Sequence, residues 1–342
     1  MPTSDLTAAV VADRLGLDDS YRDWLTALAR CEPATPASLP PPSEADALLT
    51  RLGVRDDDRG DVVEVWPSAQ TDPELWWLVE RCRGRVLAAM GDGDAAIACP
   101  SLPAALGLKG RCFWIFVYAA TVDDARRWHG EHGVPDDVSW ATLADLGQQV
   151  MLHRRRHGTT GLDLQWWLVL HFTGAIYELG RLQFHMHHLF RGPAGPPFWP
   201  DADEVERLGP GFRAGDAALG IHIPEHGHLT PEGCDESLAM ARDFFAAHFP
   251  EHRARLGTCT SWLLDEQLAD YLRPTSNIVR FQRRFHLAPG AAEDSRSTLR
   301  FVFDRVPKSV DELPQRTTLE KAIVEHIRGG GTWRTRTGWV EL

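Results

Sequence analysis

Residues 219–249, LGIHIPEHGHLTPEGCDESLAMARDFFAAHF, constrain the fold more than any other stretch. The apolar run 219–223 reads as a short strand. It passes through a loop bearing Pro224, Gly227 and Pro231 into an amphipathic helix expected over 231–249. Thr230 followed by Pro231 is an N-cap and first helical position. The first-turn amides of such a helix have no intrahelical partner and carry a partial positive charge, so a strand feeding a helix through a tight loop suits phosphate. His222, Glu225, His226 and His228 place titratable groups in or beside the same loop.

A chain of 342 residues is long enough for two domains. Its 43% hydrophobic and 25% charged residues allow a sizeable core and exclude a disordered chain. No run of 18 apolar residues occurs, which predicts no transmembrane helix. The opening MPTSDLTAAVVADRLG has no basic region followed by an apolar block, so no secretory signal is expected, and the reading is a soluble, cytoplasmic protein with no membrane partner. None of the six cysteines stands in CxxC spacing, and they read as buried thiols, Cys259 among them. Residues 1–150 hold 13 Lys+Arg against 24 Asp+Glu (−11), and residues 151–342 hold 23 against 24 (−1). The acidic half argues against a nucleic-acid platform, while the near-neutral half can hold an anionic ligand at low electrostatic cost.

Periodicity predicts helices over 74–90, 113–128 and 139–157, after shorter helical pieces and a proline-rich break at 32–42. DDDRGD at 56–61 reads as a solvated loop and 62–66 as a strand. The run 164–170 suits either strand or helix. Further on, strands are expected at 182–189, 258–264, 285–288, 298–304 and 332–340, and helices at 265–272, 276–284 and 317–328. Strands alternating with helices imply mixed or parallel pairing, with an antiparallel edge at 285–304. The fold class is therefore α+β, with a helical domain over 1–158 and a mixed-sheet domain over 159–342.

Several motifs in this order resemble one group of bacterial proteins. They are His222, Ile223, Pro224, Gly227 and Leu229; a helix with Ser237 and Phe244-Phe245; Cys259 with Ser261, Trp262, Leu263 and Leu264; and Ser276, Asn277, Ile278 and Phe281. The group is the acyltransferase-domain proteins common in actinobacteria, which pair a helical N-acyltransferase N-terminal domain with a GNAT-like C-terminal domain. The segment YELGRLQF at 177–184 resembles the start of the second domain, and the likeness runs from about residue 74 to the end. It implies an acyl-CoA or an acyl-carrier-protein thioester as donor and a small-molecule amine as acceptor. It also implies that 219–223 and 258–264 are two strands that splay to admit the pantetheine arm. Ile223, Gly227, His228, Leu229 and Thr230 would then line the cofactor.

Amide formation from a thioester needs a base for the amine proton, donors for the oxyanion and an acid for the thiolate. His222 at the strand end is the first base, because imidazole titrates near neutrality, and Glu225 is the second. The resemblance implies Tyr271 as the acid. Ser261 and Asn277 could donate hydrogen bonds to the donor, or could satisfy nearby backbone instead. Arg280, Arg283 and Arg284 form the nearest basic cluster, serving a phosphate or a solvated helix face. Trp76-Trp77 and Trp166-Trp167 suit core packing or the wall of an acyl tunnel.

Two other readings remain open. His185, His187 and His222 could form a three-histidine metal site, although no HExxH or related spacing supports it and no metal is expected. A non-catalytic ligand-binding scaffold on a degenerate GNAT fold is favoured by the loop EHGHLT, which has one glycine where that superfamily has a glycine-rich phosphate loop.

Overall fold

The computed structural model describes residues 6–31, 35–189 and 212–342. Residues 32–34 of the proline-rich break and the first five residues of the opening segment lie outside the described residues. Contacts divide the chain into two units, Met1–Tyr177 and Glu178–Leu342. The division falls later than 158/159 because the apolar run after residue 164 is a helix whose Leu168, Val169 and Phe172 join the core of the first unit.

The first unit is helical. Its elements are α1 (Ala8–Leu15), α2 (Arg22–Ala29), α3 (Pro42–Arg51), α4 (Asp56–Glu64) and α5 (Pro73–Ala88). They continue as α6 (Gly107–Ala119), α7 (Val122–Glu131), α8 (Asp136–Leu143), α9 (Asp145–His157) and α10 (Gln165–Phe172). The expected strand at 62–66 is instead the end of α4. Three aspartates in the first turn of α4 suit the positive end of a helix. One of them, Asp58, is buried and accepts from Arg154 Nε at 2.7 Å and Thr160 Oγ1 at 2.9 Å. The single helices expected at 113–128 and 139–157 are each two, broken at Ala120-Thr121 and at Ala144. Near the second break, a Cβ on Gly147 would stand 2.0 Å from the backbone of Gly53, so only glycine lets α9 meet the α3–α4 connection.

The stretch Ala104–Glu131 is long and apolar enough to cross a membrane by composition, but 67% of its apolar window is buried within the fold. Phe113, Ile115, Phe116, Val117 and Tyr118 belong to the core of the first unit, so α6 is a core helix. Arg83 of α5 is buried against Asp124 of α7 at 2.5 Å and donates to the Ala120 carbonyl at 2.9 Å, which compensates its charge.

The second unit is built on one mixed sheet, whose first strand begins two residues before the division. Its strands are β1 (Ile176–Leu179), β2 (Leu182–His188), β3 (Ala217–His222), β4 (Leu256–Ser261), β5 (His286–Leu287), β6 (Ala292–Glu293) and β7 (Arg334–Glu341). Their order is β1-β2-β3-β4-β7-β5, with β6 also pairing β7. The helices are α11 (Pro231–His248), α12 (Asn277–Gln282), α13 (Ser295–Phe303) and α14 (Thr318–Arg328). The strand expected at 298–304 is α13. Asp294 caps it by accepting from Ser297 N at 3.0 Å, a local signal that outweighs the β-forming residues Thr298, Phe301 and Val302. The edge is therefore β5 against β7, with Leu287 opposite Gly338. The run expected as a strand over 258–264 leaves the sheet after Ser261 as a 3-10 turn, Trp262–Leu264, and 265–272 is likewise a 3-10 turn over Glu266–Asp270.

His129 of α7 is buried with its Nδ1 2.6 Å from Ser139 Oγ on α8, and burial drops its pKa from the usual 6.5 to about 4. The unfolded chain takes up this proton near 6.5 and the folded chain only near 4, so the unfolded state gains as pH falls through that window. Denaturant unfolding is expected to lose about 3 kcal/mol from this group between neutrality and pH of about 4. His129→Gln should flatten that part of the pH–stability curve, and an unchanged slope would remove His129 as its source.

Candidate active site

The sheet of the second unit is two wings joined by a short seam. β2 and β3 pair antiparallel over six residues, from Gln183–His222 to His188–Ala217. β4 and β7 pair antiparallel over six, from Leu256–Glu341 to Ser261–Arg336. Between the wings, β3 and β4 run parallel but pair only at Leu219–Gly257 and Gly220–Thr258. β3 continues to His222 and β4 to Ser261, and no ladder pair joins these last residues. The paired ladder thus stops short of the carboxyl ends of both strands.

Period-2 alternation and the register set the chemistry at this parting. Gln183, His185 and His187 project from one face of β2, and His222, opposite Gln183, projects from the same face of β3. Gly220 faces His185. A Cβ there would stand 3.1 Å from His222 Nε2 and 3.3 Å from His185 Nδ1, so the bare backbone is the floor on which both rings rest. The His185 and His222 rings are 5.8 Å apart, and those of His185 and His187 5.5 Å. His187 Nε2 lies 3.0 Å from Thr258 Oγ1, a side-chain clasp across the seam. Burial and the neighbouring imidazoles push the pKa of His187 well below its usual value, so it is a neutral hydrogen-bonding ring at physiological pH. Thr260 Oγ1 meets Thr337 Oγ1 at 2.9 Å on the next strand over, which extends the polar row.

The loop beyond His222 is held from below by Arg181, in the tight turn between β1 and β2. Its Nε donates to the His228 carbonyl at 3.1 Å, and its Nη2 to the carbonyls of Pro224 at 3.1 Å and Gly227 at 3.3 Å. Burial disfavours the charge and lowers the pKa of this guanidinium, and the three carbonyls compensate for the lost water. The turn itself is pinned to α11, because Ser237 Oγ accepts from the amides of Arg181 at 2.7 Å and Leu182 at 3.2 Å. Gly227 takes φ +75°, which lets the loop reverse. Thr230 caps α11 by accepting from Gly233 N at 3.2 Å.

The residues singled out from sequence do not all gather here. His222 stands at the parting, half-buried, and Ile223 follows it. Glu225, Gly227 and His228 are exposed on the loop, and Leu229 and Thr230 lead into α11. His226 Nε2 lies 3.9 Å from Glu178 Oε2. Ser261 ends β4 and accepts from Leu263 N at 3.1 Å, which is a capping role. Asn277 is exposed at the start of α12. Tyr271 belongs to a separate cluster, with its hydroxyl 3.1 Å from His326 Nδ1 and its ring packed on Trp333. Arg284 is committed to the first turn of α11, pairing with Asp235 at 2.7 Å and donating to the Pro231 carbonyl at 2.8 Å. Cys259 is buried in β4 and its thiol is pushed up to about 12, as suits an inert core residue. His185, His187 and His222 do not bring their ligand atoms together as a metal would need among the described residues. Arg181, Gly220 and Thr258 carry no signal of their own in the sequence, while Ser237 belongs to the family motif. The loop carries no arginine of its own, and the cation it lacks arrives from a turn more than forty residues earlier.

Two family models cover nearly the whole chain: an N-acyltransferase N-terminal domain over residues 43–174 and a GNAT-like C-terminal domain over 176–340. Among solved structures, an acyltransferase in complex with decanoyl-CoA and teicoplanin is 40% identical, with a TM-score of 0.87, and the match covers 98% of this chain and all of that one (100%). A tryptophan-to-alanine mutant acyltransferase in complex with octanoyl-CoA matches at the same identity (40%), TM-score (0.87) and coverage (98% and 100%). The chain belongs to this acyltransferase family. A third match of the same extent is an acyltransferase in complex with CoA and 10C-teicoplanin. A search of curated proteins finds no match. Within this acyltransferase, the family division between 174 and 176 falls at β1, close to the division by contacts.

Arg181→Ala should free the loop it holds. Amide hydrogen exchange over 225–230 is expected to speed up at least tenfold, while global stability falls by about 1–2 kcal/mol. Unchanged exchange in that segment would show that Arg181 is not its anchor.

Proposed function

We propose that the chain is an N-acyltransferase that moves a medium-chain acyl group from acyl-CoA to an amine by direct attack. The observation that carries this reading is the seam that ends at Gly220–Thr258 while both strands run on. A pantetheine arm is narrow, extended and amide-bearing, and strand edges that have parted offer it backbone partners in register. The donor's anionic end then falls toward the loop at 224–230 and the N-terminus of α11, where amides and the helix dipole favour negative charge. The acyltransferases of similar structure that hold octanoyl-CoA and decanoyl-CoA support a donor of that length.

In the reaction the amine nitrogen attacks the thioester carbonyl. The C–N bond forms, the C–S bond breaks and the CoA thiolate leaves. His222, beside the parting, takes the proton from the attacking amine. Glu225, exposed on the loop, is the second base to compare. We assign no proton transfer to Tyr271, whose hydroxyl is engaged with His326. No covalent enzyme intermediate is needed. As acceptor, an amine on a teicoplanin-type compound is the first to test, because similar acyltransferases hold teicoplanin with decanoyl-CoA and 10C-teicoplanin with CoA.

The test is release of CoA from octanoyl- and decanoyl-CoA, with mass spectrometry of the acceptor. Acceptor-dependent release, with the acceptor heavier by one acyl group, is expected. Failure of the protein to bind either thioester in calorimetry would favour the scaffold reading instead. For the base, His222→Ala is expected to lower kcat about 10²-fold or more while donor Kd stays within about twofold. Equal turnover in that variant would take His222 out of the mechanism.

A further inference from the structure

Helix α9 ends in two histidines one turn apart, His153 and His157, and the chain then reverses at Gly158 (φ +71°) to bring Asp163 back against them. His157 Nε2 lies 2.9 Å from Asp163 Oδ2 and 3.1 Å from Oδ1. His153 Nε2 lies 3.9 Å from Asp163 Oδ1. One ligand atom from each of the three residues falls within 4.8 Å of the others. We propose that His153, His157 and Asp163 form a zinc site.

A tetrahedral zinc with bonds of about 2.0–2.1 Å holds its ligand atoms about 3.3 Å apart. The His157–Asp163 separation already lies near that value, and the three ligand atoms all fall within 4.8 Å of one another. Two imidazoles and one carboxylate are a donor set that selects zinc over magnesium or calcium.

Three further features favour the metal. The Thr159 carbonyl accepts from His153 Nδ1 at 2.8 Å, so the proton is fixed on that nitrogen and Nε2 presents its lone pair toward Asp163. A Cβ on Gly161 would stand 2.7 Å from His153 Cε1 and 2.8 Å from its Nε2, so only a bare backbone lets the returning loop pass beside the ring. The site also lies at the C-terminal end of α9, where the helix dipole favours a cation.

Opposing it are Arg156, whose Nη1 is 3.9 Å from Asp163 Oδ2, and Arg111, which donates to the Thr160 carbonyl at 3.1 Å. Arg154 does not oppose it, being paired with Asp58 at 2.7 Å and Asp61 at 2.8 Å.

The experiment is calorimetric titration of chelator-treated, full-length protein with zinc chloride, with cobalt(II) as a spectroscopic probe. Stoichiometric binding of a single zinc is expected, with cobalt absorption bands of tetrahedral intensity. His157→Ala and Asp163→Asn remove groups that are 49% and 25% exposed, so both variants should stay folded, as circular dichroism can verify. Each should weaken zinc affinity at least tenfold and abolish the cobalt bands. Absence of stoichiometric binding in the parent protein would overturn the proposal. So would equal binding in both variants, which would place the ion on other histidines.

Discussion

Two residue pairs, Leu219–Gly257 and Gly220–Thr258, are all that zip β3 to β4, and the rest of the candidate site depends on their being so few. A parallel ladder running the full length of both strands would bury their edges and leave no slot. The wings on either side are fully paired, so each strand is held straight by its outer neighbour. At the seam the His187–Thr258 hydrogen bond joins the wings through side chains as well as backbone, in a setting dry enough to keep the imidazole neutral.

Around the loop that follows β3, charge is placed with little waste. Arg181 lends its guanidinium to three loop carbonyls, and Arg284 holds Asp235 and Pro231 in the first turn of α11. Both arginines fix the shape of the segment between His222 and Cys234 without occupying the helix amides. Long cationic side chains thus do the structural tying.

Much of the second unit was legible from the chain alone, for local reasons. The strand–loop–helix at 217–248 announces itself through a short apolar run, a Pro-Glu-His-Gly turn and a Thr-Pro cap, each of which acts over a few residues. The same locality explains the errors. Residues 298–304 have the composition of a strand, yet Asp294 four positions earlier starts a helix by accepting from the amide and hydroxyl of Ser297. The aspartates at 56–58 read as solvated until Arg154, distant in sequence, gives Asp58 a buried partner. The family motifs located His222 and the loop, because those residues are contiguous. Arg181, Gly220 and Thr258 could not be found that way, since their roles arise only from strand register and from a turn that crosses beneath a later loop.

The sheet order has a bearing on how the chain comes to be folded. β7 is the last strand in sequence, yet it lies inside the sheet, between β4 and β5, and it also pairs β6. During synthesis, β4 emerges some eighty residues before the partner that straightens it. The helical first unit, by contrast, can assemble from segments already out of the ribosome. The second unit must wait with an unpaired strand edge until Glu341 has been added, so a truncation within the final strand would remove an internal partner from the sheet and not a dispensable tail.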